Sequence, residues 1–152
     1  MDFPPNYRLY LTDAQIKNYF PNLKKGKNFK FTSLGTDEYN CIAWASEITD
    51  EWVQLYDINW MPKVDSASYI GYFNRLGFKL GNNTDVEKGK LKIAIYISTD
   101  NGRHEFRHVA RQLHSGKWTS KLGDWEDIEH DTPEILLGKS YGEKIIIMEK
   151  AI

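Results

Sequence analysis

Apolar residues recur at helical spacing in the first half of the chain and alternate in the second. Thr12-Asp13 is suited to cap a short helix in "AQIKNYF", which must stop before Pro21. In "YNCIAWASEI", Cys41, Trp44, Ala45 and Ile48 fall at helical spacing behind Asn40, a good capping residue, so Cys41 is expected in a first helical turn. "SASYIGYFNRLGF" carries the clearest amphipathic pattern: Ser66 as cap, Tyr69, Ile70, Phe73 and Leu76 as the apolar face, Gly77 as the stop. Between these, "DEWVQLYDINWMPKV" has no clean period and reads as a long loop with a turn or two of helix. The period then falls to two. "KLKIAIYIS", "KWTSKLG" and "YGEKIIIMEK" read as strands set off by glycine turns. "DIEHDTPEILLG" reads as a short helix capped by Thr132, with Pro133 in its first position, Ile135, Leu136 and Leu137 as anchors and Gly138 as its end. Helices early and strands late predict an α+β fold, an antiparallel sheet packed against the early helices.

Length and composition narrow this picture. At 152 residues, 41% hydrophobic and without a repeat or a Pro/Ser-rich linker, the chain is expected to be one domain over 1–152, with its core region at about 36–150. Lys+Arg at 20 against Asp+Glu at 21 leaves a formal net charge of -1, so no nucleic-acid or anionic-lipid footprint is expected. The basic cluster Lys24, Lys25, Lys27 and Lys30 reads as a solvated edge. "MDFPPNYRLY" lacks the pattern of a secretory signal and no apolar run reaches membrane-spanning length, so a cytoplasmic protein is expected. A single cysteine excludes an internal disulfide and leaves Cys41 free to act as a nucleophile.

Two chemistries compete for His108. "HEFRH" spells H-E-x-x-H, and on a helix His104 and His108 would share a face fit for zinc, with Glu105 as base and Glu126, Glu129 or His130 as a third ligand. The segment also sits between the turns "TDNGR" and "HSGK", as one arm of a β-hairpin would, and "FRHVARQL" then becomes a strand with His108 at its start. In that reading Cys41, at a helix N-terminus that lowers its pKa, is the partner of His108. Ser120, on the strand after "HSGK", would hold the imidazole's other nitrogen, and strand alternation turns Lys121 to the opposite face.

"NCIAWA" followed by "HVARQLHSGKWTS" resembles the NlpC/P60 and CHAP branch of the papain-like cysteine peptidases and amidases. "YNCIAWA" with "HVARQLHSGKWTSKLGDWEDIEHDTPEILLGKSYG" looks more closely like an uncharacterised family of small bacterial proteins, from Tyr39 onward. That closer pattern starts at His108 and has no place for His104 or Glu105, so it implies no metal and no cofactor.

The papain-like resemblance implies Cys41 as nucleophile, His108 as base and acid, and Ser120 as the third polar residue, a weaker one than the usual His, Asp or Asn. It further implies Asn40 as an oxyanion donor, Trp44 as a substrate contact, and a peptide or protein amide as substrate. The rival expectations are a papain-like binding module with little or no catalysis, which takes a partner protein, and a zinc hydrolase built on "HEFRH". His130 is an outside candidate for the site.

Overall fold

The computed structural model describes residues 7–152, and the first six residues of the expected loop-like opening lie outside the described part. Helix α1, Asp13–Tyr19, begins in a capping box: the Thr12 side chain accepts from the Gln15 N–H and the Gln15 side chain answers the Thr12 N–H. Strand β1, Phe29–Ser33, follows the basic turn. Helix α2 is only Cys41–Ala45, because after Ala45 the chain turns through Ser46 and Glu47, the latter at φ 63°. Helix α3, Ser66–Arg75, is capped by Asp65 rather than Ser66, since the Asp65 carboxylate accepts from the Ser68 N–H and a hydroxyl at Ser66 is buried instead.

The remaining elements are strands β2 (Lys79–Leu80), β3 (Lys90–Asp100), β4 (Arg103–Gln112), β5 (Trp118–Lys121), β6 (Asp127–His130) and β7 (Lys144–Ala151), with a short 3₁₀ turn at Pro133–Leu136 before β7. They form a seven-stranded sheet in the order β1-β6-β5-β4-β3-β7-β2, every pair antiparallel. The architecture is α+β.

Two corrections concern the segment "DIEHDTPEILLG". Its first four residues are a strand, not the approach to a helix, and Thr132 makes no side-chain cap bond to the 3₁₀ turn that follows. Pro133 does stand at the first position, and Leu136 is buried under it.

The sheet is buried on both sides, which explains why β3 reads "KIAIYI" with almost no polar interruption. Ala94 and Tyr96 point into a core shared with α1, Trp118, Leu122, Ile128 and Leu136. Ile93, Ile95 and Ile97 point into a second core shared with α2, α3 and Val109. Burying three isoleucines there contributes on the order of 5–9 kcal/mol before chain entropy is counted. One irregularity matters for function. Tyr96 pairs with His108 and Ile97 with Phe106, which leaves Arg107 as a bulge residue. The extra residue puts Phe106 and Val109 in the second core and turns His108 toward Tyr96.

That bulge disposes of the helical zinc site. "HEFRH" lies in β4, the bulge separates the faces of its two histidines, and His104 is exposed beside the Thr99 hydroxyl at 3.2 Å while His108 is buried. Among the described residues, no group of three His, Cys, Asp or Glu side chains is arranged to hold a metal ion. No helix among them is long and apolar enough to cross a membrane.

Candidate functional site

His108 sits inside β4 with 1% of its surface exposed, and its Nε2 lies 2.9 Å from Ser120 Oγ. Ser120, on β5 and wholly buried, is in turn 2.8 Å from His130 Nε2 on β6. The His130 Nδ1 ends the chain 2.9 Å from the backbone carbonyl of Thr132. Burial pushes the His130 pKa down to about 4, so the ring is neutral, and burial together with the neighbouring His130 pushes His108 well below the usual range.

Neutrality fixes every proton in this chain. A carbonyl only accepts, so His130 carries its proton on Nδ1 and offers a lone pair at Nε2. Ser120 therefore donates to His130, and its oxygen accepts from His108 Nε2–H. What remains on His108 is an unprotonated Nδ1. The tautomer is assigned by the acceptor at the far end of the relay, just beyond β6 and two strands away. The imidazole is further held by Tyr141, stacked on it at 4.2 Å and 6°, and by Tyr96 at 5.2 Å.

Cys41 opens α2. Asn40 caps that helix as expected: its Oδ1 accepts from the Ala43 N–H at 3.1 Å. The Asn40 amide also engages Val53, its Nδ2 donating to the Val53 carbonyl at 2.7 Å and its Oδ1 accepting from the Val53 N–H at 3.3 Å. One N–H of the Asn40 amide thus holds the loop after α2 to the helix, and an oxyanion contact would fall to its second N–H. Trp44, half-buried, is held in place by three neighbours. Its indole N–H donates to Thr119 Oγ1 at 3.1 Å, Tyr39 stacks on it at 5.5 Å, and the Arg111 guanidinium lies over its ring at 4.6 Å.

Cys41 is half-buried as a residue, while its side chain packs against the second core. Burial pushes its pKa up to about 11, while the backbone N–H of Val109, the residue after His108, and the charge of Lys121 pull the other way without overcoming it. The lowered thiol pKa expected from the helix terminus is thus corrected: five residues align too few peptide dipoles to offset desolvation. Among the described residues, no hydrogen bond joins the Cys41 sulfur to either nitrogen of His108. The structure brings His108 and Ser120 into contact, adds His130, and sets Cys41 beside the next residue of β4.

Lys121 does turn away from Ser120, as alternation requires. Its ammonium is bonded to the carbonyls of Gly123 and Trp125 and lies 5.3 Å from the centre of the Tyr39 ring. Across the ladder it faces Asp127, whose Oδ2 accepts from the Tyr39 hydroxyl at 2.8 Å and whose Oδ1 has no hydrogen-bond partner. Burial raises the Asp127 pKa and lowers that of Lys121.

A family profile described as a domain of unknown function (DUF7689) matches residues 30–149, which takes in Asn40, Cys41, His108, Ser120 and His130. The chain belongs to the DUF7689 family. No curated protein and no solved structure matches it. The looser NlpC/P60 and CHAP likeness gains no support from these comparisons, whereas the closer likeness, from Tyr39 onward, falls within the DUF7689 match.

In the DUF7689 chain, sequence reasoning missed Tyr141 entirely and left His130 outside the relay. Read as a strand opposite "WTSK", "DIEH" alternates Ile128 and His130 toward Ser120 and Trp118, so the signal was present once the strand was recognised.

Proposed function

We propose that this DUF7689 protein is a thiol acyl-transfer enzyme of papain-like design, acting on an amide bond of a peptide or protein with Cys41 as nucleophile and His108 as general base. The observation that supports it is the Ser120–His130–Thr132 relay, which leaves His108 Nδ1 as a free lone pair, the form a base requires. The chain order supports it too. A short helix opening at Cys41 precedes antiparallel strands bearing His108 and Ser120, in the sequence that the NlpC/P60 and CHAP resemblance implies.

In the reaction, Nδ1 takes the thiol proton as the sulfur adds to the carbonyl carbon. It then returns the proton to the departing amine, leaving a thioester that water or a second amine resolves with His108 again as base. Free N–H groups in the first turn of α2 supply contacts for the oxyanion. Ser120 orients the ring but carries no charge to stabilise an imidazolium, so turnover is modest. Because the resting pair is a protonated thiol and a neutral imidazole, the proton crosses to Nδ1 as the sulfur attacks, whatever the electrophile.

The test is the iodoacetamide rate of Cys41 at pH 7.5. A thiol of pKa about 11 acting unaided has about a hundredfold less thiolate than one at the ordinary 9.0, and its higher intrinsic nucleophilicity restores about tenfold, so it reacts about tenfold slower. The proposal predicts instead a rate that falls by about a hundredfold in His108→Ala and by a smaller factor in Ser120→Ala. Equal rates in the wild type and His108→Ala defeat it.

A second reading, a papain-like binding module, is favoured by one observation. The loop between Tyr56 and Pro62 is pinned by Asp57, whose carboxylate accepts from the Asn59 and Met61 N–H groups, and it holds Ile58, Trp60 and Met61 at 93%, 80% and 61% exposure. A rigid apolar tip of this kind suits a partner protein. Slow alkylation indifferent to His108 would favour this reading.

A further inference from the structure

A cleft of about 380 Å³ opens where the end of α1 meets the β5–β6 turn, lined by Tyr19, Phe20, Trp125 and Tyr141 together with Asp124 and Ser140. Its rings are held in two tilted pairs, Tyr19 with Trp125 at 5.9 Å and 45°, and Phe20 with Tyr141 at 5.1 Å and 53°. Tyr19 and Trp125 are the rings a ligand reaches, Tyr19 exposed and Trp125 half-buried, with Phe20 and Tyr141 packed behind them. The walls are tied together before any ligand arrives: Ser140 Oγ donates to the Tyr19 carbonyl at 2.9 Å, Phe20 is buried, and Tyr141 is stacked on His108. The volume suits a group the size of one large side chain.

Charge selects the occupant. The lining contains the Asp124 carboxylate and no lysine, arginine or histidine. Asp124 is exposed and takes part in no salt bridge among the described residues. The cation beneath the turn is Lys121, whose ammonium is engaged with the carbonyls of Gly123 and Trp125 and which feels three carboxylates, Asp127, Asp124 and Glu126. The local balance is negative.

We infer that this cleft is a binding site for an alkylated ammonium group, such as a trimethyllysine side chain, seated against the ring faces with its charge beside Asp124. Ring quadrupoles attract a cation over their faces, and a bulky, weakly hydrated ammonium surrenders little solvation on entering. The site needs neither Cys41 nor catalysis, so its fate in experiment is separate from that of the acyl-transfer reading. Because Tyr141 touches both the cleft and His108, a bound cation is sensed at the imidazole.

The test is an NMR titration of the whole chain with choline and with 3,3-dimethylbutan-1-ol, which has the same shape without the charge, following the Trp125 indole N–H and the His108 ring signals. Choline is expected to shift both saturably, and the neutral analogue to bind at least fivefold more weakly. Asp124→Asn, an exposed change that leaves the fold intact, weakens choline about two- to fivefold and leaves the analogue unchanged. Cys41→Ser binds choline as the wild type does. A peptide carrying trimethyllysine binds more tightly than phosphocholine, whose phosphate meets Asp124. Equal binding of the neutral analogue, a preference for cellobiose over choline, tighter binding of phosphocholine, or no saturable shift would each overturn the assignment.

Discussion

Lowering the pH from 7.5 to 5.0 loads protons onto a relay that has room for none. His130 titrates near its ordinary 6.5 when the chain is unfolded and at about 4 when folded, so the unfolded state binds the proton first. The sign follows: a histidine held neutral contributes stability that is complete above about pH 6.5 and is lost as the pH falls toward 4. Between pH 7.5 and 5.0 the loss from His130 alone is about 2 kcal/mol, since 1.36 kcal/mol accompanies each unit over the roughly 1.5 units below 6.5. His108 shifts in the same direction and deepens the fall. At pH 5.0 the carboxylates of the unfolded chain are still mostly ionised, so they obscure little. Urea unfolding at the two pH values, in the wild type and in His130→Gln, isolates the effect. The wild type is expected to lose at least about 2 kcal/mol, and the variant to start less stable but lose distinctly less on acidification. A wild-type change under about 0.5 kcal/mol, or an identical loss in both proteins, would refute the neutral relay and with it the proton assignment on His108.

Replacing Lys121 by Met leaves the Gly123 and Trp125 carbonyls without their ammonium and Asp127 without its facing charge, and is expected to cost about 2–4 kcal/mol in chemical denaturation. Gly142 adopts φ 94°, and a Cβ added there would run into the Ile97 carbonyl, so Gly142→Ala has both a strained backbone and a clash and is expected to lower stability by about 2–4 kcal/mol, read by thermal melting. Addition of zinc is expected to leave the melting temperature of the wild type and of His104→Ala alike, because the two histidines of "HEFRH" are on different faces of β4; one equivalent of bound zinc lost in His104→Ala would contradict that.

The period of the apolar pattern made much of the fold legible. The capped helix at Thr12, the helix from Ser66, the strand around Ile95 and the strand at "KIIIMEK" all stand where it put them. What periodicity could not reveal was strand pairing. "FKFTS" and "DIEH" are too short to carry a period of their own, and they become strands through pairing, "FKFTS" against "DIEH" and "DIEH" also against "WTSK". The Arg107 bulge was equally hidden, since an extra residue in one arm of a hairpin leaves no mark in composition.

The site was legible in part for the same reason. His108 and Ser120 meet because the "HSGK" turn sets the register of two neighbouring strands, a local consequence of sequence. His130 joins them through the unrecognised strand, and Tyr141 through the return of the chain after Gly138. The expected low thiol pKa failed because helix position is local while desolvation is a property of the assembled core.

The pH profile of Cys41 alkylation tests most directly whether His108 acts as its base. A base with a pKa well below the usual histidine range keeps the rate nearly constant from below pH 6.5 through neutrality, and His108→Ala removes that plateau. A single rise toward a midpoint of about 11, the same with and without His108, would contradict the assignment.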